Sequence, residues 1–348
     1  MFQTFHFLLL LFTSNFFSLV MPSVAEVPMI PPLVALLPGP DVRVLGMSAR
    51  LRNERVANRA GATLVPYDAV QQHDRSVLAV PPDRLLDLAG TERLIDVSTP
   101  AARRRAAWAI LRRTEKSTDG WFSRTLNRPI SRAVSYALLS LRLNANHASM
   151  LVLILGLAVA LIGAQPGYLA LATMGILFHL ASVLDGVDGE MARATLSESE
   201  LGARLDTISD QVTYVACFIG LTVGWFREGQ GVNAVAWMAL ITVALVATLL
   251  RGGRFVSRYA PDASFVFVDR SVRRAARDSG RLPLRLAAAG FTLLRRDLFA
   301  LIFMVVSFTG RRALVPALVA FGVVLANVTF TVYGRELAEA AVAERTDA

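Results

Sequence analysis

Four aspartates set within apolar sequence constrain the fold more than any other feature of this chain. They lie between residues 185 and 210, and apolar runs flank this stretch on both sides. Asp185 and Asp188 are three residues apart and Asp206 and Asp210 are four apart, so each pair would share one face of a helix. Carboxylates beside a membrane cost free energy unless cations join them. The stretch therefore predicts two packed helices whose acidic faces meet around divalent cations, which prefer oxygen ligands.

Composition indicates a membrane protein. Apolar residues make up 54% of the 348 residues, more than a typical soluble domain has, and they concentrate after residue 148. The net charge of +9 is unevenly spread: residues 101–142 hold ten Lys or Arg against two acids, and residues 251–297 hold eleven Arg against four. Basic blocks beside apolar helices favour the positive-inside bias over nucleic-acid binding, so no nucleic-acid partner is expected.

The N-terminal third follows a different pattern. Residues 1–25 contain an apolar stretch whose length suits a leader or a short anchor. Residues 26–115 join a proline-rich linker to short apolar runs that alternate with Arg-rich helical segments, which predicts a small soluble α/β domain. Within it, the run from Thr99 to Arg113 predicts an amphipathic helix with Pro100 in its first turn.

The remaining chain predicts a bundle of membrane helices. Residues 116–147 favour an amphipathic helix in the membrane interface, because arginines recur at steps of four and apolar residues lie near one face. Residues 148–335 contain six apolar spans, near 148–163, 168–186, 206–226, 232–250, 297–311 and 313–333. The predicted fold class is thus an all-α polytopic membrane protein with six transmembrane helices and an interfacial amphipathic helix, preceded by a small soluble α/β segment. Residues 336–348 form a C-terminal tail.

The connections between spans predict the orientation. The charged connections, residues 187–205 and 251–296, alternate with short ones of little net charge, which puts the aspartates on the cytoplasmic side of a bacterial-type inner membrane. Arg311 and Arg312 fall on the outer side as an exception. Ser197 with Glu200 fits a capping box at the start of the third span.

The stretch from Asp185 to Asp210 reads D-x2-D-G-x2-A-R-x8-G-x3-D-x3-D. This pattern resembles the signature of the CDP-alcohol phosphotransferases at every position, and the resemblance covers roughly residues 119–335. It implies an integral membrane enzyme of phospholipid or related phosphodiester synthesis. Such an enzyme moves a phospho-alcohol, of phosphatidyl or phosphoinositol type, from a CDP-alcohol donor to an acceptor alcohol and releases CMP. Membrane lipid and a second copy of the chain, as a homodimer, are the further partners that the family implies.

The resemblance also implies roles for the signature residues. Asp185, Asp188 and Asp206 would be ligands of two divalent ions, Mg²⁺ or Mn²⁺, and Asp210 would be the general base that also touches metal. The CDP site would be lined by Gly189, Ala192, Arg193 and Gly202. Their chemistry agrees, because small residues let a ligand approach the backbone and an arginine can contact a phosphate.

Two further stretches point to one branch of the family. Residues 117–131 and Arg295-Arg296-Asp297 resemble the branch of di-myo-inositol-phosphate-phosphate synthases, in which a soluble sugar-nucleotidyltransferase domain often precedes the membrane part. Asp96-Val-Ser-Thr-Pro100 matches the sequence that commonly closes such domains. The Gly-rich nucleotide loop is reduced to Leu37-Pro-Gly-Pro. We therefore expect that residues 26–115 do not make a CDP-alcohol.

The acceptor is less constrained by the sequence. Arg251, Arg254 and Arg258 follow the fourth span at helical spacing, on the side of the aspartates. They fit a phosphate on the acceptor, and they fit headgroup anchoring and topology equally well.

Two other functions remain open at this point. A cation or proton transporter would use the acids as a relay, but it needs them near mid-membrane and usually shows internal repeats. A non-catalytic membrane scaffold would tolerate Asp210→Asn without any loss.

Overall fold

The computed structural model describes residues 33–40, 42–66, 77–87, 94–115, 120–259, 265–293 and 296–346. The predicted leader, residues 1–25, lies outside the described residues. Contacts between residues divide the chain into two compact units. The α/β unit contains the described parts of residues 33–149 together with residues 184–202. The helical unit contains residues 150–183 and the described parts of 203–346.

The α/β unit begins with short strands and two helices. In chain order these are β1 (Leu33–Leu36), β2 (Arg43–Val44), β3 (Met47–Ser48), α1 (Ala49–Arg59), β4 (Thr63–Val65), β5 (Val77–Val80), β6 (Arg84–Leu86), β7 (Leu94–Asp96) and α2 (Pro100–Arg112). Strands β4, β1 and β5 form a parallel sheet in that order, while β2–β3 and β6–β7 are antiparallel pairs. The predicted α/β segment is confirmed.

Both helices of this segment begin at side-chain caps. Ser48 Oγ accepts a hydrogen bond from the backbone N–H of Leu51 at 3.1 Å, which caps α1. Thr99 Oγ1 caps α2 by accepting from the N–H of Ala102 at 3.1 Å, and Pro100 follows in the first turn. The predicted helix between Thr99 and Arg113 is therefore confirmed.

The predicted interfacial helix has an unusual distribution of polar residues. A π-helical turn (Ser123–Asn127) leads into α3 (Arg128–Ser140). Several apolar side chains of this segment are exposed, with Trp121, just before the π turn, at 77% and Ile130 at 45%, whereas the polar residues Ser131 and Ser135 are buried. A helix in water would show the opposite arrangement. The exposed apolar face is typical of a helix that lies in the membrane interface.

The helical unit continues the chain with helices of 12 to 29 residues. They are α4 (Ala145–Gly163), α5 (Tyr168–Thr195), α6 (Glu200–Arg227), α7 (Gly231–Tyr259), α8 (Phe265–Ser279), α9 (Leu282–Leu293), α10 (Arg296–Ser307), α11 (Leu314–Val332) and α12 (Gly334–Thr346). Of these, α4 and α6 start, and α5 ends, within the α/β unit. One buried cluster joins α5 to α6 and α10, where the rings of Phe178 and Phe303 lie 4.9 Å apart between centroids.

Four described helices are long and apolar enough to cross a membrane: α4, α5, α7 and α11. They correspond to the first, second, fourth and sixth predicted spans. The other two spans are not confirmed. Helix α6 covers the third, but Asp206 and Asp210 make its first turns polar. The predicted fifth span, 297–311, is shorter in the structure, because α10 ends at Ser307 and the apolar helix α9 precedes it.

The exception to the charge bias, Arg312, is neutralised inside the helical unit. Its side chain is buried, and Nε donates to Glu228 Oε1 at 2.8 Å. The same guanidinium donates to the backbone carbonyl of Gly163 at 2.8 Å and to that of Gln165. Arg312 thus links the α10–α11 connection to the α4–α5 and α6–α7 connections. Glu228 compensates its charge locally.

Candidate active site

Two consecutive helices carry the four aspartates. Asp185 and Asp188 lie in the second half of α5, and Asp206 and Asp210 lie in the first three turns of α6. The connection between the helices is only residues 196–199. The predicted helical placement of both pairs is therefore confirmed.

Three of the aspartates form an acidic group. Asp185, Asp206 and Asp210 each offer a carboxylate oxygen, and these oxygens all lie within 4.8 Å of one another. Asp210 is only 2% exposed. Carboxylates at such distances repel one another unless cations or protons compensate them. An all-oxygen donor set of this kind fits a hard divalent cation such as Mg²⁺.

Asp188 is not part of that group of three. It is buried, and its Oδ2 accepts a hydrogen bond from Ser149 Oγ at 2.5 Å. This bond links the first turns of α4 to the end of α5 and fixes the orientation of the carboxylate. The role of Asp188 as a metal ligand stays a prediction.

The small signature residues leave room for an arginine. A Cβ added to Gly189 would lie 3.0 Å from Nη1 of Arg193, so any larger side chain would displace this guanidinium. Arg193 Nε donates to the backbone carbonyl of Thr114 at 3.0 Å. Ala192 is half-buried on the same turn. The roles of Gly189, Ala192 and Arg193 at a CDP site stay predictions.

Gly202 lies in the first turn of α6, and its surroundings correct the predicted cap. Its N–H donates to Ser199 Oγ at 3.1 Å, and α6 begins at Glu200, so Ser199 is the cap. The predicted capping box at Ser197 is wrong by two residues. Ser197 Oγ instead shares a hydrogen bond with Thr195 Oγ1 at 2.7 Å.

Sequence reasoning missed a buried acid within the signature. Glu190 is fully buried and accepts from Arg128 Nη1 at 2.6 Å, from Ser131 Oγ at 2.7 Å and from Ser135 Oγ at 2.8 Å. Arg128 is itself only 6% exposed. This network joins the polar face of α3 to α5 between Asp188 and Arg193. The helical spacing of its three donors along α3 was the available signal.

The three arginines predicted for the acceptor lie along one exposed face of α7. Arg251 donates to Asn327 Oδ1 on α11, and the guanidinium of Arg258 lies 5.8 Å from the ring centre of Tyr259. Arg254 is exposed. A phosphate contact by any of them stays a prediction.

The α/β unit has a cavity of its own, of about 430 Å³, at the ends of β1 and β5 and at the start of α1. Leu36, Ser48 and Val80 are among its lining residues, and no described lining residue carries a carboxylate.

Comparisons with known proteins identify the helical region. The sequence profile of the CDP-alcohol phosphatidyltransferase family matches residues 142–332. Proteins named bifunctional IPC transferase and DIPP synthase are similar to parts of the chain. The one from Thermococcus kodakarensis is 41% identical over 157 residues, which are 44% of this chain and 34% of that protein. The one from Rubrobacter xylanophilus is 34% identical over 182 residues, which are 50% of this chain and 39% of that protein.

A third relative with the same name, from Archaeoglobus fulgidus, is 36% identical over 118 residues. The aligned residues are 34% of this chain and 23% of that protein. In these three comparisons the chain therefore spans less than two-fifths of the relative's length.

Proposed function

This chain belongs to the CDP-alcohol phosphatidyltransferase family, and we propose that it moves a phospho-alcohol group from a CDP-alcohol to an acceptor alcohol with release of CMP. One observation carries the proposal: the signature is complete from Asp185 to Asp210 and falls inside the matched residues 142–332. The acidic group formed by Asp185, Asp206 and Asp210 supports it, because its chemistry suits a pyrophosphate substrate bound with cations.

We propose two divalent ions, Mg²⁺ or Mn²⁺, as the cofactor. Asp185, Asp206 and Asp210 would hold them, with Asp188 as a further ligand. Bound there, the ions would neutralise the pyrophosphate and stabilise the leaving CMP. The chain itself then contributes position and electrostatics, as in other phosphoryl transfers.

Asp210 acts as the general base in this proposal. Its carboxylate accepts the proton of the acceptor hydroxyl as that oxygen bonds to the phosphorus that carries the donor's alcohol. The bond between this phosphorus and the bridging oxygen breaks, and CMP leaves with that oxygen. Gly189, Ala192 and Gly202 would let the donor approach the helix backbones, while Arg193 would contact a phosphate.

The names of the relatives suggest the substrate class. Because they are called IPC transferase and DIPP synthase, we propose a phosphoinositol-type transfer for this chain, with phosphatidyl transfer as the other member of the class. Arg251, Arg254 and Arg258 would bind a phosphate on the acceptor. Residues 26–115 would make no CDP-alcohol, since their Gly-rich nucleotide loop is reduced to Leu37-Pro-Gly-Pro.

The membrane arrangement completes the proposal. Residues 148–335 would form six spans, with α6 and the α9–α10 pair as the two beyond the four long apolar helices, and residues 116–147 would lie in the interface. The active site would face the cytoplasm from the inner membrane, because the basic connections lie on its side. Residues 26–115 would form a soluble domain, and residues 336–348 would form a C-terminal tail. Two copies of the chain would associate as a homodimer.

CMP release tests the activity. Purified protein is incubated with Mg²⁺ or Mn²⁺, with CDP-inositol or CDP-diacylglycerol, and with a panel of inositol and glycerol phosphates and alcohols. Release that depends on both donor and acceptor is expected. If no pair yields CMP while the protein remains folded, the transferase assignment is overturned and the scaffold hypothesis is favoured.

A further inference from the structure

The C-terminal end of α5 closes in a turn that a glycine would normally make. The N–H of Leu196 donates to the carbonyl of Arg193 at 3.2 Å, and the N–H of Ser197 donates to that of Ala192 at 2.9 Å. These two bonds form a Schellman motif, whose reversing residue has a left-handed conformation. Leu196 occupies that position with φ of +53°. A leucine is strained there relative to glycine, so something else must favour it.

Two carbonyls at the same helix end are capped from the α/β segment. The last four carbonyls of a helix lack partners within the helix, and the Schellman bonds satisfy only two of them. Arg52 Nη1 donates to the carbonyl of Ala194, and Arg55 Nη1 donates to that of Thr195 at 2.6 Å. The two arginines are three residues apart on α1 and therefore share one face.

The charge of these arginines suits their position. Cations are favoured at a helix C-terminus, where the partial charge is negative. Burial lowers the pKa of the Arg52 guanidinium to about 10, so it remains protonated at neutral pH. Arg59, one turn further along α1, extends the contact through a 2.7 Å ion pair with Glu198.

Leu196 itself is held by the core of the α/β segment. Its side chain packs against the cluster that contains Val34, Val56 and Leu86, which come from β1, α1 and β6. This contact explains why the strained leucine is present, since glycine would relieve the backbone but lose the packing.

We propose that the α/β segment is a positioning clamp for the signature. The clamp consists of Arg52, Arg55 and the core that receives Leu196. It fixes the last turns of α5, so that Arg193 keeps one orientation beside Gly189. The part of the proposal that concerns catalysis rests on the proposed function.

Leu196→Gly separates the clamp from a simple helix cap. If the turn were only a local cap, glycine would make it as stable or more stable. With the clamp, we expect backbone amides of residues 193–200 to exchange hydrogen about tenfold faster or more in the full-length protein. Hydrogen-exchange mass spectrometry in detergent measures this, and unchanged or slower exchange would overturn the clamp.

A double variant, Arg52→Ala with Arg55→Ala, tests the effect on the site. We expect the KM for the CDP-alcohol to rise about tenfold, the loss that removing one or two hydrogen bonds to charged groups produces. The KM for the acceptor should stay unchanged. Arg50→Ala is the matched control, because Arg50 lies on the same helix, and its exposed side chain pairs with Glu54 of that helix.

The two readouts keep the proposals apart. Hydrogen exchange needs no turnover, so it decides the clamp even if the wild type releases no CMP. If the wild type is active and the double variant has an unchanged donor KM, the clamp has no positioning role, and the proposed transferase activity is not affected by that result. In the Arg52→Ala background, Arg55→Lys should give a donor KM below that of the double variant, because lysine can still donate to the helix end.

Discussion

At the scale of single residues, Asp210 is the acid on which the proposed reaction depends most. It is almost fully buried and has two carboxylates as close neighbours in the acidic group. Carboxylates this close repel one another unless cations or protons compensate them. In the proposed function the bound ions would supply that compensation, and Asp210 would accept the hydroxyl proton.

Asp210→Asn should lower kcat for CMP release by about 10²- to 10⁴-fold, because an amide cannot accept the hydroxyl proton. The control is Asp278→Asn, which changes an exposed acid paired with Arg274 on α8. Comparing initial rates at saturating donor and acceptor checks the prediction. Equal loss in both variants would show that folding, and not proton transfer, is affected.

Asp185→Asn should weaken metal binding more than substrate binding. Removing one charged oxygen ligand raises the Mg²⁺ concentration for half-maximal activity by about tenfold or more, since each such ligand contributes electrostatically. A Mg²⁺ titration of CMP release after EDTA treatment measures it. An unaltered titration curve would remove Asp185 from the metal site.

At the scale of elements, buried polar contacts fix the helices that carry the signature. Glu190 and Arg128 form an ion pair in which both side chains are almost fully buried. Two serines of α3 satisfy the remaining acceptor capacity of Glu190. A pair of this kind contributes little net stability over apolar residues, but breaking it leaves one charge uncompensated.

Glu190→Ala should therefore destabilise the protein by about 3–5 kcal/mol, through the unpaired Arg128. Glu190→Gln keeps the shape and part of the hydrogen bonding, so its effect should be smaller. Thermal unfolding in detergent, with both variants side by side, tests the order. The account fails if the glutamine variant is the less stable of the two.

Gly224→Ala should also destabilise, although alanine normally favours a helix. A Cβ at Gly224 would lie 2.2 Å from the carbonyl oxygen of Gly163, which belongs to the backbone and has little freedom to move. Overpacking of this kind costs about 1–3 kcal/mol. Gly334→Ala is the control, because nothing lies within 4 Å of its added Cβ. Thermal unfolding should show a lower midpoint only for Gly224→Ala.

At the scale of the whole molecule, the exposed apolar helix faces predict integral association with the bilayer. Helices α4, α5, α7 and α11 are long and apolar enough to cross the hydrocarbon core. Carbonate extraction of membranes should leave the chain in the pellet. A C-terminal reporter should be active only in the cytosol, and an external signal would overturn the proposed orientation.

Local spacing carried most of what the sequence could predict. The helical phase of the aspartates and the helix at Pro100 depend on neighbours in the chain, and both are confirmed. The caps of α5 could not be inferred, because Arg52 and Ala194 are 142 residues apart. The N-cap of α6 was predicted two residues too early. Ser197 and Ser199 are both residues that commonly cap helices, and the sequence does not show that the turn at Leu196 delays the start of α6.

The contacts of Arg312 bear on how the chain is assembled. Its partners Gly163, Gln165 and Glu228 are synthesised earlier. Their hydrogen bonds to Arg312 can form only after the turn before α11 has been synthesised. That end of the bundle therefore closes late in synthesis, once Arg312 has emerged. A chain truncated before residue 312 would leave Glu228 without this counter-charge.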